Sequence, residues 1–175
     1  YILQYARLAE EYNVPFFCIG TEWEKFLAER PAFWRQLIAK IRTIYSGKLT
    51  YAENWDAYQK TAIWEKLDAI GVDAYFPLSE KANPGIEELK KGWTKHKKGL
   101  QVAVDTYKIP ILFTEYGYPS VDYAAHKPWE NGLQNTANET LQSDAYLALY
   151  QSFWKEEWFL GGFLWKWFPV YTERH

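Results

Sequence analysis

Apolar residues recur along this chain in two rhythms. Ile2, Tyr5, Leu8, Ala9 and Tyr12 fall at helical spacing, which predicts an amphipathic opening helix. Asn13 ends it, and Pro15 keeps it from resuming. The run VPFFCI at 14–19 is short and continuously apolar, with Gly20 after it, so it reads as a buried strand. Pro31 suits the first position of a second helix; its stripe is Trp34, Leu37, Ile38, Ile41, Ile44 and Tyr45, and Gly47 closes it. A second strand is expected at 49–52, a short helix at 62–69 and a third strand at 72–76. The Asn83-Pro84-Gly85 turn leads into a long helix with Ile86, Leu89, Trp93, Leu100, Val104 and Tyr107 on one face. A fourth strand at 111–114, a polar loop from 117 to about 138, a helix at 139–157 and a last strand at 162–167 complete the pattern.

Helices and strands therefore alternate, and each strand is a short apolar run without period-two alternation. Such strands are buried on both faces, as in a parallel sheet covered by helices. Two architectures fit: an open doubly wound sheet and a (β/α)8 barrel. No glycine-rich phosphate loop follows any strand, which weakens the nucleotide-binding open sheet. The preferred fold class is α/β, a (β/α)8 TIM barrel, with the whole of 1–175 expected to be one partial catalytic domain.

The 175 residues contain 48% hydrophobic and 24% charged residues, which is globular composition. The formal net charge of -2 lacks the basic excess that tracks phosphates, so nucleic acid is not an expected partner. No apolar run approaches the ~18 residues of a membrane span. One cysteine, Cys18, excludes an intrachain disulfide and a cysteine-based zinc site, and three scattered histidines give no metal-ligand spacing. Neither a cofactor nor a metal is implied. Tyr1 opens the chain in place of Met, so the absence of a visible signal peptide leaves the compartment open. The unusual number is the aromatic content: 10 Trp, 14 Tyr and 10 Phe, or 19%. Aromatic faces stack on the C–H faces of sugar rings, and Tyr and Trp add a polar handle, which makes carbohydrate the favoured partner.

Parallel α/β proteins place their sites at the carboxyl ends of the strands. Those ends read Gly20-Thr21-Glu22-Trp23, Glu53-Asn54-Trp55, Asp73-Ala74-Tyr75-Phe76, Thr114-Glu115-Tyr116-Gly117 and Trp165-Lys166-Trp167. Acid and aromatic recur together at four of the five, and two of the three glutamates at that rim, Glu22, Glu53 and Glu115, could serve as an acid/base and nucleophile pair.

The segments IGTE (19–22), LTYAENW (49–55), LDAIGVDAYFPL (67–78) and FTEYGYPS (113–120) resemble the signature segments of glycoside hydrolase family 113, over residues 14–169. That family belongs to clan A of retaining glycosidases, and its characterised members act on β-mannans. The resemblance implies barrel strands four to eight, with Glu22 as acid/base and Glu115 as nucleophile. It also implies that Tyr75 hydrogen-bonds the nucleophile, that Trp165 or Trp167 forms the floor under the scissile sugar, and that Asn54 and Trp55 line the cleft. Most clan members carry Asn just before the acid/base; here that position is Thr21, a hydroxyl that offers a shorter contact. Trp23 is either an outer sugar platform or packing. Glu53 and Asp73 are expected to hold buried hydrogen bonds, Cys18 to be a small buried hydrophobe, and His96 to be solvated on a basic helix face.

The implied activity is retaining hydrolysis of a β-linked polysaccharide, β-1,4-mannan foremost. The alternative is a non-catalytic carbohydrate-binding protein on a degenerate barrel, which need not keep both glutamates. A five-strand parallel sheet cannot close and leaves two adhesive edges. A missing N-terminal segment or a second chain is therefore expected to supply the first three strands.

Overall fold

The computed structural model describes residues 1–130 and 134–166. Five strands form one all-parallel sheet: β1 (Phe16–Thr21), β2 (Lys48–Asn54), β3 (Ile70–Asp73), β4 (Ile111–Tyr116) and β5 (Phe159–Leu164). Their spatial order is the chain order, β1-β2-β3-β4-β5. A doubly wound sheet reverses direction at a switch point; this one advances one strand at a time, as a barrel wall does. Among the described residues, β1 and β5 pair on one side only.

The helices are α1 (Ile2–Glu11), α2 (Glu24–Glu29), α3 (Pro31–Arg42), α4 (Ile86–Tyr107) and α5 (Glu139–Phe153). Local chemistry sets their limits. Pro31 stands in the first turn of α3, where its missing N–H costs nothing. Lys108 takes the left-handed conformation that ends α4, its N–H bonded to the Val104 carbonyl. Asn138 caps α5 by accepting from the Leu141 N–H at 2.9 Å. The same Asn138 donates to Asp122 Oδ1 at 2.7 Å, which ties the long loop after β4 to the helix that follows it.

The core lies between sheet and helices. Trp93 on α4 is fully buried against Phe113 of β4 and Phe153 of α5, at ring-centroid separations of 6.2 and 4.9 Å. On the other side, Trp34 of α3 meets Tyr51 of β2 at 5.3 Å. Burying each such ring contributes roughly 1.5–3 kcal/mol, so these aromatics anchor the helical layer. Gly71 makes a tight seam: an added Cβ there would lie 2.2 Å from the Tyr51 carbonyl oxygen, so β2 and β3 close up only around glycine.

The structure corrects several boundaries. The helix expected at 62–69 is a single 3-10 turn, Trp64–Lys66, preceded by another at Tyr58–Lys60; Ile63 and Trp64 are fully buried there without a helical stripe to extend. The short helix α2, directly after Glu22 and Trp23, was not expected. β3 stops at Asp73, so Tyr75 and Phe76 stand beyond it, and β5 begins and ends three residues earlier than expected. Cys18 is exposed rather than buried, on β1, which pairs on one side only among the described residues.

Candidate active site

The carboxyl ends of the strands gather an acidic group, Glu22, Asp73 and Glu115. Glu22 follows β1 directly, in the left-handed conformation (φ 53°), which a non-glycine residue adopts at a cost of order 1 kcal/mol. Its N–H bonds the Ala52 carbonyl at 2.9 Å, and the next N–H, of Trp23, donates to the Tyr51 hydroxyl at 2.6 Å. The turn is therefore stitched to β2 from both residues. This fixes where the Glu22 carboxyl projects although the residue itself is exposed.

Glu115 sits inside β4, opposite Asp73 in the register of β3, and the Ala74 N–H donates to its backbone carbonyl at 2.7 Å. The Tyr75 hydroxyl donates to Glu115 Oε2 at 2.8 Å. Burial, and then the adjoining Glu115 carboxylate, push the Tyr75 phenol far above its ordinary range, so it stays a donor at any working pH. Glu22 and Glu115 lie close enough to interact. Burial first, and then the charge of Glu115, raise the pKa of Glu22, while a hydrogen bond with Asp73 lowers it.

Asp73 is fully buried at the centre of this group. Its Oδ1 accepts from the Thr114 hydroxyl at 2.7 Å, and burial lifts its pKa to about 7, with Glu115 and Glu22 adding to the rise. Glu53, also buried, has both oxygens served: Oε1 by the Asn54 N–H at 3.0 Å and Oε2 by the Thr61 hydroxyl at 3.4 Å.

The aromatics divide. Trp165 follows β5, is exposed, and donates its N–H to the Tyr116 carbonyl at 2.8 Å. Gly117 permits that approach, since a Cβ there would fall 2.0 Å from the Trp165 carbonyl oxygen. Trp165 thus stands beside the end of the Glu115 strand. Trp167 lies outside the described residues. Trp23 is 60% exposed while its ring edges contact Phe26 and Trp34, so it is both partly packed and accessible. Asn54 accepts from the Trp55 N–H at 3.2 Å, and Thr21 is exposed beside Glu22.

Trp55 turns towards α4 and the loop after β4. It stacks on Trp129 at 5.7 Å with the planes 18° apart. Sequence reasoning missed Trp129; a tryptophan in an otherwise polar loop was the available signal. His96 is also corrected. It is half-buried on Phe76 (4.7 Å between rings), with Nε2 2.9 Å from the Pro77 carbonyl, and burial holds its pKa below the ordinary value.

Among the described residues, no cluster of three or more His, Cys, Asp or Glu is arranged to hold a metal ion. No described helix is long and apolar enough to cross a membrane.

The family model for Glycoside Hydrolase Family 113 matches residues 1–175. The chain belongs to glycoside hydrolase family 113. Solved family 113 structures agree. A complex of a GH113 β-1,4-mannanase superposes with a TM-score of 0.82 and 28% identity over 95% of this chain. The GH113 β-mannanase of Alicyclobacillus acidocaldarius in complex with ManMIm gives 0.81 and 27% over 98%. This family 113 chain covers 50% and 51% of those two chains, so it spans about half their length. A β-glucuronidase of Faecalibacterium prausnitzii, at 16% identity and a TM-score of 0.63, shares the fold. No match was found among curated protein sequences. The five-strand sheet is therefore a parallel α/β arrangement matching part of the barrel-like fold of these glycoside hydrolases.

The contact between Tyr75 and Glu115 gives a direct test. Tyr75→Phe removes one hydrogen bond to a charged group and leaves the ring in place. It is expected to lower kcat for glycoside hydrolysis by the full-length protein by about 10- to 100-fold, with little change in the thermal midpoint. An unchanged kcat would make the contact incidental.

Proposed function

We propose that residues 1–175 form part of the catalytic barrel of a retaining glycoside hydrolase that cleaves β-1,4-linked mannan or manno-oligosaccharides. The remaining barrel wall would come from residues beyond these or from a second chain. The observation that carries the reading is the pairing of Glu22 and Glu115. They stand at the same end of one sheet, three strands apart, and close enough for the charge of one to raise the pKa of the other. A Tyr hydroxyl is seated on Glu115. The mannanase structures named above support the choice of substrate.

The chemistry follows from the two environments. Glu115, with Tyr75 steadying one oxygen, attacks the anomeric carbon and forms a glycosyl ester. Glu22, whose pKa is raised by burial and by the charge of Glu115, gives its proton to the departing glycosidic oxygen as that bond breaks. Glu22, now a carboxylate, then takes a proton from water. The resulting hydroxide equivalent attacks the anomeric carbon, releasing Glu115 as a carboxylate and returning Glu22 to its acid form. Trp165 or Trp167 is assigned to the floor under the sugar ring, and Thr21, Trp23, Asn54 and Trp55 to the cleft walls.

The test is the anomer first released. Manno-oligosaccharides incubated with the full-length protein and followed by proton NMR are expected to give the β-anomer first, before mutarotation. An α-product would mean inversion, and binding without cleavage would favour the carbohydrate-binding alternative.

A further inference from the structure

The buried acid between the two glutamates has no place in the steps just described, and its hydrogen bonding is incomplete. Asp73 Oδ1 is served by the Thr114 hydroxyl, but Oδ2 is buried with no N–H or O–H donor among the described residues. An ionised carboxylate in that position would be costly, because a buried charge needs a partner. The charges that act on Asp73 are those of Glu115, Glu22 and Glu53, all of its own sign. Other titratable groups around it are Cys18 on β1, Tyr51 on β2 and Tyr75 after β3, none of them a cation. Glu53, equally buried, has a donor at each oxygen and so raises no such question. Asp73 and Glu22 stand close enough for each carboxyl group to act on the other, and two carboxyl groups can share a hydrogen bond only if one carries a proton.

We propose that Asp73 is a positioning residue held as the neutral acid, its proton on Oδ2, and that it donates to Glu22 whenever Glu22 is ionised. This rests on Glu22 being the acid/base. During the first half-reaction Glu22 loses its proton to the leaving group and becomes a carboxylate. The Asp73 hydroxyl then supplies the hydrogen bond that steadies the new charge and aims it at the incoming water. Asp73 keeps its proton throughout and nothing is consumed. When Glu22 is the acid, the same contact fixes its rotamer.

Two measurements on the full-length protein test this. In protein carrying carbon-13 at the aspartate carboxyls, with Asp73 assigned through its backbone, its resonance is expected to titrate near pH 7, rather than near ~4 as an ordinary aspartate does. In steady-state kinetics Asp73→Asn keeps an acceptor for Thr114 and an N–H donor for Glu22, so kcat is expected to stay within about threefold. Asp73→Ala keeps neither and is expected to lose about 10- to 100-fold in kcat with KM little changed. Titration at an ordinary carboxylate pH, or equal losses in a folded Asp73→Asn and in Asp73→Ala, would overturn the proposal. If Asp73→Asn does not fold, the wild-type titration decides alone. If the wild-type protein turns over no mannan, the hydrolase reading falls, while the titration still reports where the proton sits.

Discussion

Glu115→Ala is expected to abolish turnover of manno-oligosaccharides by the full-length protein, with a loss of at least ~10⁴-fold, of the order seen when a covalent nucleophile is removed. Its effect on folding is expected to be small. Glu115 contributes to the sheet through its backbone, whose carbonyl accepts from Ala74 and whose register against Asp73 is unchanged by side-chain truncation. The side chain is only half-buried, so the space left is open to water. The Tyr75 hydroxyl loses its acceptor, a cost of ~1 kcal/mol. Circular dichroism and thermal melting check the fold, and reducing-sugar release checks the activity. Retained activity in the folded variant would remove Glu115 from the nucleophile's role.

The second large effect belongs to Glu22. Glu22→Ala is expected to lose about 10²–10⁴-fold on natural substrates, the usual worth of a positioned general acid. Aryl glycosides whose leaving group needs no proton should still form the glycosyl ester, which then accumulates for want of a base. A burst of released phenol followed by slow turnover is the signature. The pH profile has a definite sign. Burial and then the neighbouring Glu115 raise the pKa of Glu22, so the protonated acid persists to higher pH than for a free glutamate. Activity is expected to fall as pH rises through that raised value, and the limb should vanish in Glu22→Ala assayed on the activated aryl glycoside. A wild-type profile whose alkaline limb is the same in both proteins would assign the acid elsewhere.

Much of this was readable from residues alone, for identifiable reasons. The strands announced themselves as short, continuously apolar runs, although burial on both faces holds only for β2, β3 and the start of β4; VPFFCI leads into the edge strand β1, which is partly exposed. The acids were readable because sites in parallel α/β proteins gather where strands end, so Glu22 and Glu115 were singled out by position. What escaped depended on partners remote in the chain. The six residues of α2 are too few to show a period. His96 was masked by Lys95, Lys97 and Lys98; yet Leu89, Trp93, His96 and Leu100 share one face of α4, and that spacing placed it inward all along. The Trp55–Trp129 stack joins a strand end to a distant loop, which periodicity cannot reveal. The orphaned Oδ2 of Asp73 depends on which donors happen not to reach it, and residue types do not record that.

The chain-order arrangement of the strands has a further consequence. Neighbouring strands lie ~4.8 Å apart, so in a flat sheet the ends of β1 and β4 would be about 14 Å from each other. Retaining hydrolysis needs carboxyl groups only ~5–5.5 Å apart. Rolling the sheet towards its acidic side is what shortens that span, and the tightness of the roll acts as a ruler for the reaction. The seam at Gly71, where β2 and β3 meet without room for a methyl group, lies inside the measured interval and helps to calibrate it.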